Sequence, residues 1–199
     1  MPMGKAYSLE KDVLVIHREL TQLDLYVRDF VEVLRKHIAY LIVSGFVSIA
    51  AGRSRGTEDV DVLIPAVDSA TFTLLFEELS GRGFWCYQGD TAKGVYPYIQ
   101  ELAHIRFARA NQVFPNVECI PITSEKKAQY FEFRHPQKMR IKDFEFNIPP
   151  LEFEILYKEI ILGGEKDLAD AKHLRTVFSD ILKRERFKEF EPVVRSHGH

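Results

Sequence analysis

The segment GRSRGTEDVDVLIP, residues 52–65, ends in an alternation of acidic and apolar residues that a strand accounts for and a helix does not. Along a strand, residues two apart share a face and lie about 6.5–7 Å from each other. Asp59 and Asp61 therefore point one way, while Val60, Val62 and Ile64 point the other way, into a core. Burial explains the valines but not the aspartates, because two like charges side by side cost free energy unless a cation lies between them. Any fold of this chain must place one face of this strand in a core and hold the other face where positive charge is available.

The flanking segments supply the rest of an α/β pattern. Upstream, IAYLIVSG reads as a short buried strand that stops at Ser44-Gly45, and FVSIAAG as two helical turns stopped by Gly52. Downstream, Pro65 ends the acidic strand, Asp68 or Ser69 caps a helix through ATFTLLFEELS, and FWCYQ is the next strand. AHIRFAR and NVECIPI are short strands expected to pair across ANQVFP, and the stretch from YFEFRH to FEFNIP reads as a small β-ribbon. Apolar residues from Leu9 to Leu34 recur at three- and four-residue intervals, which predicts helix over 8–37 with a break near Thr21. After Pro149-Pro150 the pattern turns helical: one helix runs to Gly163-Gly164, a second covers EKDLADAKHLRTVF, and a third lies in DILKRERFKEF before Pro192. The expected organisation is an α/β domain over 1–148, with N-terminal helices, followed by a helical appendage over 149–199 with a flexible tail at RSHGH.

Composition narrows the function classes. With 199 residues, 46% of them hydrophobic and 28% charged, the chain has the profile of a soluble globular protein. A formal net charge of −2 argues against a strongly basic nucleic-acid clamp, though not against a local basic patch. Cys86 and Cys119 are too few for a disulfide framework and lack the paired spacing of a zinc site. No apolar signal core opens the sequence, and no apolar stretch approaches the roughly 18–20 residues that span a bilayer, so a cytoplasmic protein without a membrane anchor is expected.

One further acid stands out. Glu118 lies between Val117 and Cys119 in a segment otherwise built for burial. Carboxylates from Asp59, Asp61 and Glu118 on neighbouring strands would hold two Mg²⁺ ions roughly 3.5–4 Å apart, activating an attacking oxygen and neutralising a leaving pyrophosphate. That is phosphoryl or nucleotidyl transfer chemistry. The Ser44-Gly45 turn leads into a helix start, where free N–H groups favour phosphate, and Ser48 adds a hydroxyl one turn inside. Arg53 and Arg55 would complement triphosphate charge, Arg55 being nearer to Asp59 in sequence.

The order of a glycine-containing turn, a short spacer, Asp-hydrophobic-Asp and a later acid on a strand resembles the nucleotidyltransferase superfamily that includes DNA polymerase beta. More narrowly, VSGFVSIAAGRSRGTEDVDVLI looks like the stand-alone prokaryotic members, among them abortive-infection toxins and minimal antitoxin-type enzymes. EILYKEIILGGEKDLADAKHL is similar to the helix pair that follows the catalytic domain in the toxin-like members. The resemblance covers 38–64, 115–122 and 150–174. It implies a small mixed β-sheet core flanked by helices, with Ser44 and Gly45 as the phosphate turn, Asp59 and Asp61 as metal ligands, Glu118 as the third carboxylate, and Lys158 or Lys166 reaching the triphosphate. Two positions depart from the family pattern: the turn has Ser44 where a first glycine is usual, and the third acid is glutamate rather than aspartate.

Plainer readings stand beside these. Thr57 fits a turn cap, and Glu58 a solvent-facing charge. Asp167 and Asp170 fit the first turn of a helix, where they offset the dipole, and His104 and His135 fit ordinary polar surface. FWCYQ and the phenylalanine-rich ribbon fit core better than base stacking. At the level of function, a Mg²⁺-dependent nucleotidyltransferase using a nucleoside triphosphate is the leading expectation, with an RNA end, a protein hydroxyl or a small molecule as acceptor. A catalytically weak domain that acts as a binding or antitoxin-type partner is the alternative, and a homodimer or a toxin–antitoxin pair stays open. A metal-dependent phosphohydrolase would need more His and Asp ligands than the chain gathers in one place.

Overall fold

A computed structural model describes residues 5–197. The chain opens not with a helix but with a hairpin, β1 (Tyr7–Glu10) and β2 (Val13–Ile16), in antiparallel register from Tyr7↔Ile16 to Glu10↔Val13. The two residues between the strands, Lys11 and Asp12, both take positive φ, at 48° and 69°, the backbone that a two-residue hairpin turn requires. Helix begins only after Thr21, whose hydroxyl accepts from the Asp24 N–H at 3.2 Å while Asp24 Oδ2 accepts from the Thr21 N–H at 2.7 Å. The resulting α1 (Gln22–His37) buries Val27, Phe30, Val31 and Leu34. The expected 8–37 helix therefore begins only at Gln22, because the helical spacing of Leu9, Val13 and Ile16 is broken by the turn at Lys11-Asp12, which makes the first part a hairpin.

Next come β3 (Leu41–Val43), α2 (Gly45–Ala50) and β4 (Asp59–Pro65), then α3 (Ser69–Gly81), capped by Asp68, and β5 (Phe84–Cys86). Helix α4 (Ala92–Gln100), started by Thr91 and carrying Pro97, falls in a stretch whose Gly and Pro content hid it. Strands β6 (Ile105–Arg109) and β7 (Asn116–Ile122) pair antiparallel as expected. The expected ribbon is present as the antiparallel pair β8 (Gln137–Ile141) and β9 (Phe144–Ile148), but its first residues belong to a helix, α5 (Lys127–Arg134). In α5, Phe131 packs on Phe153 and Phe190 at ring distances of 5.8 and 5.6 Å, so tertiary contact overrides the β preference of an aromatic-rich run. Helix α6 (Leu151–Tyr157) passes into a π-helical turn, Lys158–Leu162, and is followed by α7 (Glu165–Val177) and α8 (Arg184–Arg195). The last continues through Pro192 because Phe190 and Val194, one turn apart, are both buried. His197 meets the Tyr157 hydroxyl at 3.3 Å, so the chain is packed to that point, and the remainder of the expected tail, 198–199, lies outside the described residues.

The architecture is mixed α/β. Among the described residues one sheet has the order β3-β4-β7-β6-β5, with β4 and β7 parallel, and the other the order β1-β2-β8-β9, with β2 and β8 parallel. Val60, Val62 and Ile64 enter the main core with Phe30, Phe46 and Phe107. Phe46 on α2 reaches Phe146 of the second sheet at 5.6 Å, which joins the sheets. Leu151, Ile155, Leu174 and Phe178 of the C-terminal helices belong to that same core. Each fully buried ring of this kind contributes about 1.5–3 kcal/mol. The opposite face of β4 turns Leu63 into a small cluster with Leu41, Val43 and Ile122, and leaves Asp59 and Asp61 half-buried at its other end.

Candidate active site

Parallel pairing sets Asp61 of β4 beside Glu118 of β7, and Asp59 beside Asn116. Asp59, Asp61 and Glu118 each offer one carboxylate oxygen such that the three lie within 4.8 Å of one another. Glu118 is further held by β6: Arg106, its cross-strand partner, donates to Oε1 at 2.7 Å, and His104 Nδ1 lies 3.1 Å from the same atom. Both contacts fall on Oε1, which leaves Oε2 for the aspartate side. Burial, a hydrogen bond shared with Glu118 and the charges of Asp59 and Glu118 push the Asp61 carboxyl up to about 7. An all-oxygen set of three carboxylates is the donor chemistry that a hard divalent cation such as Mg²⁺ takes, and the raised Asp61 marks a negative charge in excess of the protein's own compensation. The residues present thus fit a divalent cation.

The turn above the acids is tight. Ser44 sits at φ 64°, ψ −133°, backbone that favours glycine. A Cβ on Gly45 would lie 2.3 Å from an Arg55 guanidinium nitrogen, so the bare glycine is what lets Arg55 cross the turn. Arg55 is aimed by Asp170 of α7, which accepts from its Nε at 3.1 Å and its terminal nitrogen at 2.9 Å. Asp170, fully buried, also accepts from Arg53 at 2.5 Å and from Lys158 at 3.2 Å, and these cations hold its carboxyl below the usual range despite burial. Thr57 donates to the Asp59 carbonyl at 2.7 Å and fastens the loop that enters β4.

A groove of about 650 Å³ opens over the acids, bounded by Ser44, Gly45, Arg55, Asp59 and Asp61 and, from α7, by Lys166 and Asp167. A larger hollow of about 880 Å³ adjoins it across Arg55, Gly56 and Thr57, with Arg18, Arg53 and Gln112 in its wall, but it carries no carboxylate.

The fold brings together Asp59, Asp61, Glu118, Ser44, Gly45 and Arg55. It does not bring two other expected residues to the groove. Ser48 is fully buried within α2, its hydroxyl without a partner among the described residues. Lys158 is fully buried and paired with Asp170 and with Glu154 at 3.3 Å. Lys166 borders the groove instead, with no ion-pair partner among the described residues. His104 and Asp170 are participants that the sequence assigned to surface and to a helix start, and Arg106 is one to which it gave no role. For Arg106 and His104 a signal existed, since both alternate on the strand expected to pair with the one bearing Glu118.

No protein-family model and no curated protein matches the chain. Among solved structures it is similar to an antigenic nucleotidyltransferase-like protein from Paracoccidioides brasiliensis, with 16% identity, 90% of this chain and 96% of that one covered, and a TM-score of 0.47.

Proposed function

We propose that the chain is a Mg²⁺-dependent nucleotidyltransferase that moves a nucleoside monophosphate from a nucleoside triphosphate to a hydroxyl acceptor. The observation that carries this reading is the convergence of Asp59, Asp61 and Glu118 from two adjacent parallel strands, with Asp59 and Asp61 in the wall of a polar groove. Bound by those three carboxylates, a divalent cation supplies the positive charge that offsets charge developing on the transferred phosphoryl group. The chain's own residues do the rest. Gly45 leaves the turn bare enough for Arg55 to lie across it, and Arg55 with Lys166 offers positive charge to the triphosphate at the groove edge. Asp170 and Lys158 act from behind by fixing Arg55. Glu118, the third carboxylate, takes the acceptor's hydroxyl proton.

Incubation with each α-labelled nucleoside triphosphate and Mg²⁺, offered RNA, protein and small-molecule fractions of a cell extract, tests the reading. Label transferred by the wild type and not by Asp59→Asn or Asp61→Asn supports it; no transfer and no nucleotide binding by a folded protein overturns it.

A second reading, a binding or antitoxin-type module without catalysis, is favoured by one feature. Arg53, Arg55 and Lys158 already share Asp170, which leaves Lys166 as the cation of the groove wall without an ion-pair partner among the described residues. Such a module keeps its cellular role in the Asp59→Asn, Asp61→Asn double variant, whereas the enzyme loses it.

A further inference from the structure

Ser44 and Asp61 also line a second, smaller cavity, of about 190 Å³, which shares no other residue with the groove. Its charged lining is acidic: Asp61, Glu132 and Glu154 border it, and neither lysine nor arginine does. Val43, Leu63, Ile120, Leu162 and the ring of Tyr157 supply apolar wall, and Gln129 and His104, the latter turned to Glu118 at 3.1 Å, complete the lining. Glu154 has Lys158 at 3.3 Å. Glu132 has nothing: it is 3% exposed, yet among the described residues its carboxyl has neither a hydrogen-bond nor an ion-pair partner. Burial and the nearby Glu154 charge push that carboxyl well above the usual carboxylate range. A buried carboxyl left unpartnered costs stability, and an apolar side chain of similar volume would fill the place without that cost. Its position in the wall of a cavity that also reaches Asp61 gives it a ligand to meet.

We propose that this cavity is the acceptor subsite, and that it takes a compact amino alcohol whose ammonium group pairs with Glu132 and whose hydroxyl lies at the Asp61 end. The proposal rests on the nucleotidyltransferase reading and names its acceptor class. An acid-lined pocket with apolar walls and an aromatic ring selects an organic cation over a neutral or anionic molecule. The volume holds about six waters at the liquid share of ~30 Å³ each, so ammonium and hydroxyl must belong to one small molecule or to one end of a larger one. In the transfer, the acceptor oxygen bonds to the α-phosphorus and the bond from that phosphorus to the bridging oxygen breaks. Pyrophosphate leaves with the electron pair, and the hydroxyl proton passes to Glu118 and then to water.

The probe is 2-amino-1,3-propanediol, set against glycerol, which has the same shape with a hydroxyl in place of the ammonium. Binding is followed by NMR titration of the full chain in metal-free buffer, and binding of Mg²⁺ with a non-hydrolysable triphosphate is measured on a second portion of the same sample. The expected result is millimolar binding of the amine, at least tenfold weaker binding of glycerol, and at least a tenfold loss of amine binding in Glu132→Gln. Leu162→Trp, which adds bulk at a lining residue that is 42% exposed, abolishes amine binding without touching the buried acids. Equal binding of amine and glycerol overturns the proposal, as does amine binding unchanged in a folded Glu132→Gln protein and in Leu162→Trp. Triphosphate bound while the amine is ignored overturns the acceptor subsite and leaves the enzyme reading standing. Amine bound by a protein that takes no triphosphate overturns the enzyme reading, and the acceptor role with it.

Discussion

Ser44 and Gly45 show how much a single backbone position can settle. Ser44 holds a left-handed φ of 64° at a place where glycine would be unstrained, and strain of this kind costs about 1–3 kcal/mol. Ser44→Gly is therefore expected to raise stability by about 1 kcal/mol, read as a shift of the urea midpoint at constant slope, after the entropy of the more flexible unfolded chain is subtracted. Gly45→Ala should act the opposite way, because its Cβ would occupy the place of the Arg55 guanidinium, 2.3 Å away. Loss of triphosphate affinity by tenfold or more, with the fold retained, is the expected outcome. Asp61 adds a pH signature. Its folded pKa, about 7, lies above the unfolded value, so in metal-free buffer its contribution is complete below about pH 4 and is lost as pH rises to 7. Thermal melts in chelator should fall by the equivalent of a few kcal/mol across that window, and Asp61→Asn should flatten the slope. The acids themselves were legible in the sequence because alternation fixes their face. The Glu118 clamp was legible only in part: the alternation of His104 and Arg106 on the strand expected to pair with that of Glu118 gave the face, but the register that sets Arg106 opposite Glu118 is stated by no local pattern.

At the scale of elements, the reading from sequence succeeded where one period had one explanation. Strand β4, the Asp68-capped α3 and the β6–β7 pair are of that kind. It failed for β1–β2, where helical spacing concealed a turn at Lys11-Asp12, and for α5, where aromatic residues packed against other helices. Glu132 lies on α5, so misreading that helix as ribbon hid the acid-lined cavity as well. Helix α7 reads as a dipole-compensated surface helix, yet its Asp170 neutralises Arg53, Arg55 and Lys158 together. Asp170→Asn leaves Lys158 buried with less compensation and is expected to cost about 3–5 kcal/mol, measured by denaturant unfolding. Lys158→Met in the same background should recover part of that loss, which a purely local helix-cap role for Asp170 would not produce.

Across the whole molecule, one core runs from the first hairpin through both sheets into the last helices, with Tyr7 meeting Phe178 edge-on at 4.9 Å. The C-terminal helices therefore do two things at once: they cover the sheet, and they bring Lys166 and Asp167 to the groove while Asp170 fixes Arg55 from behind. A chain ending at residue 148 is expected to lose cooperative unfolding, because Leu151, Ile155, Leu174 and Phe178 leave the core together. The central claim is that Asp59, Asp61 and Glu118 form a cation-dependent triphosphate site, and calorimetric titration with a non-hydrolysable nucleoside triphosphate tests it most directly. Micromolar binding in Mg²⁺, weakened at least a hundredfold by chelator and by the Asp59→Asn, Asp61→Asn double variant, is the predicted result. Binding that is equal with and without Mg²⁺, or that survives in the double variant, would contradict it.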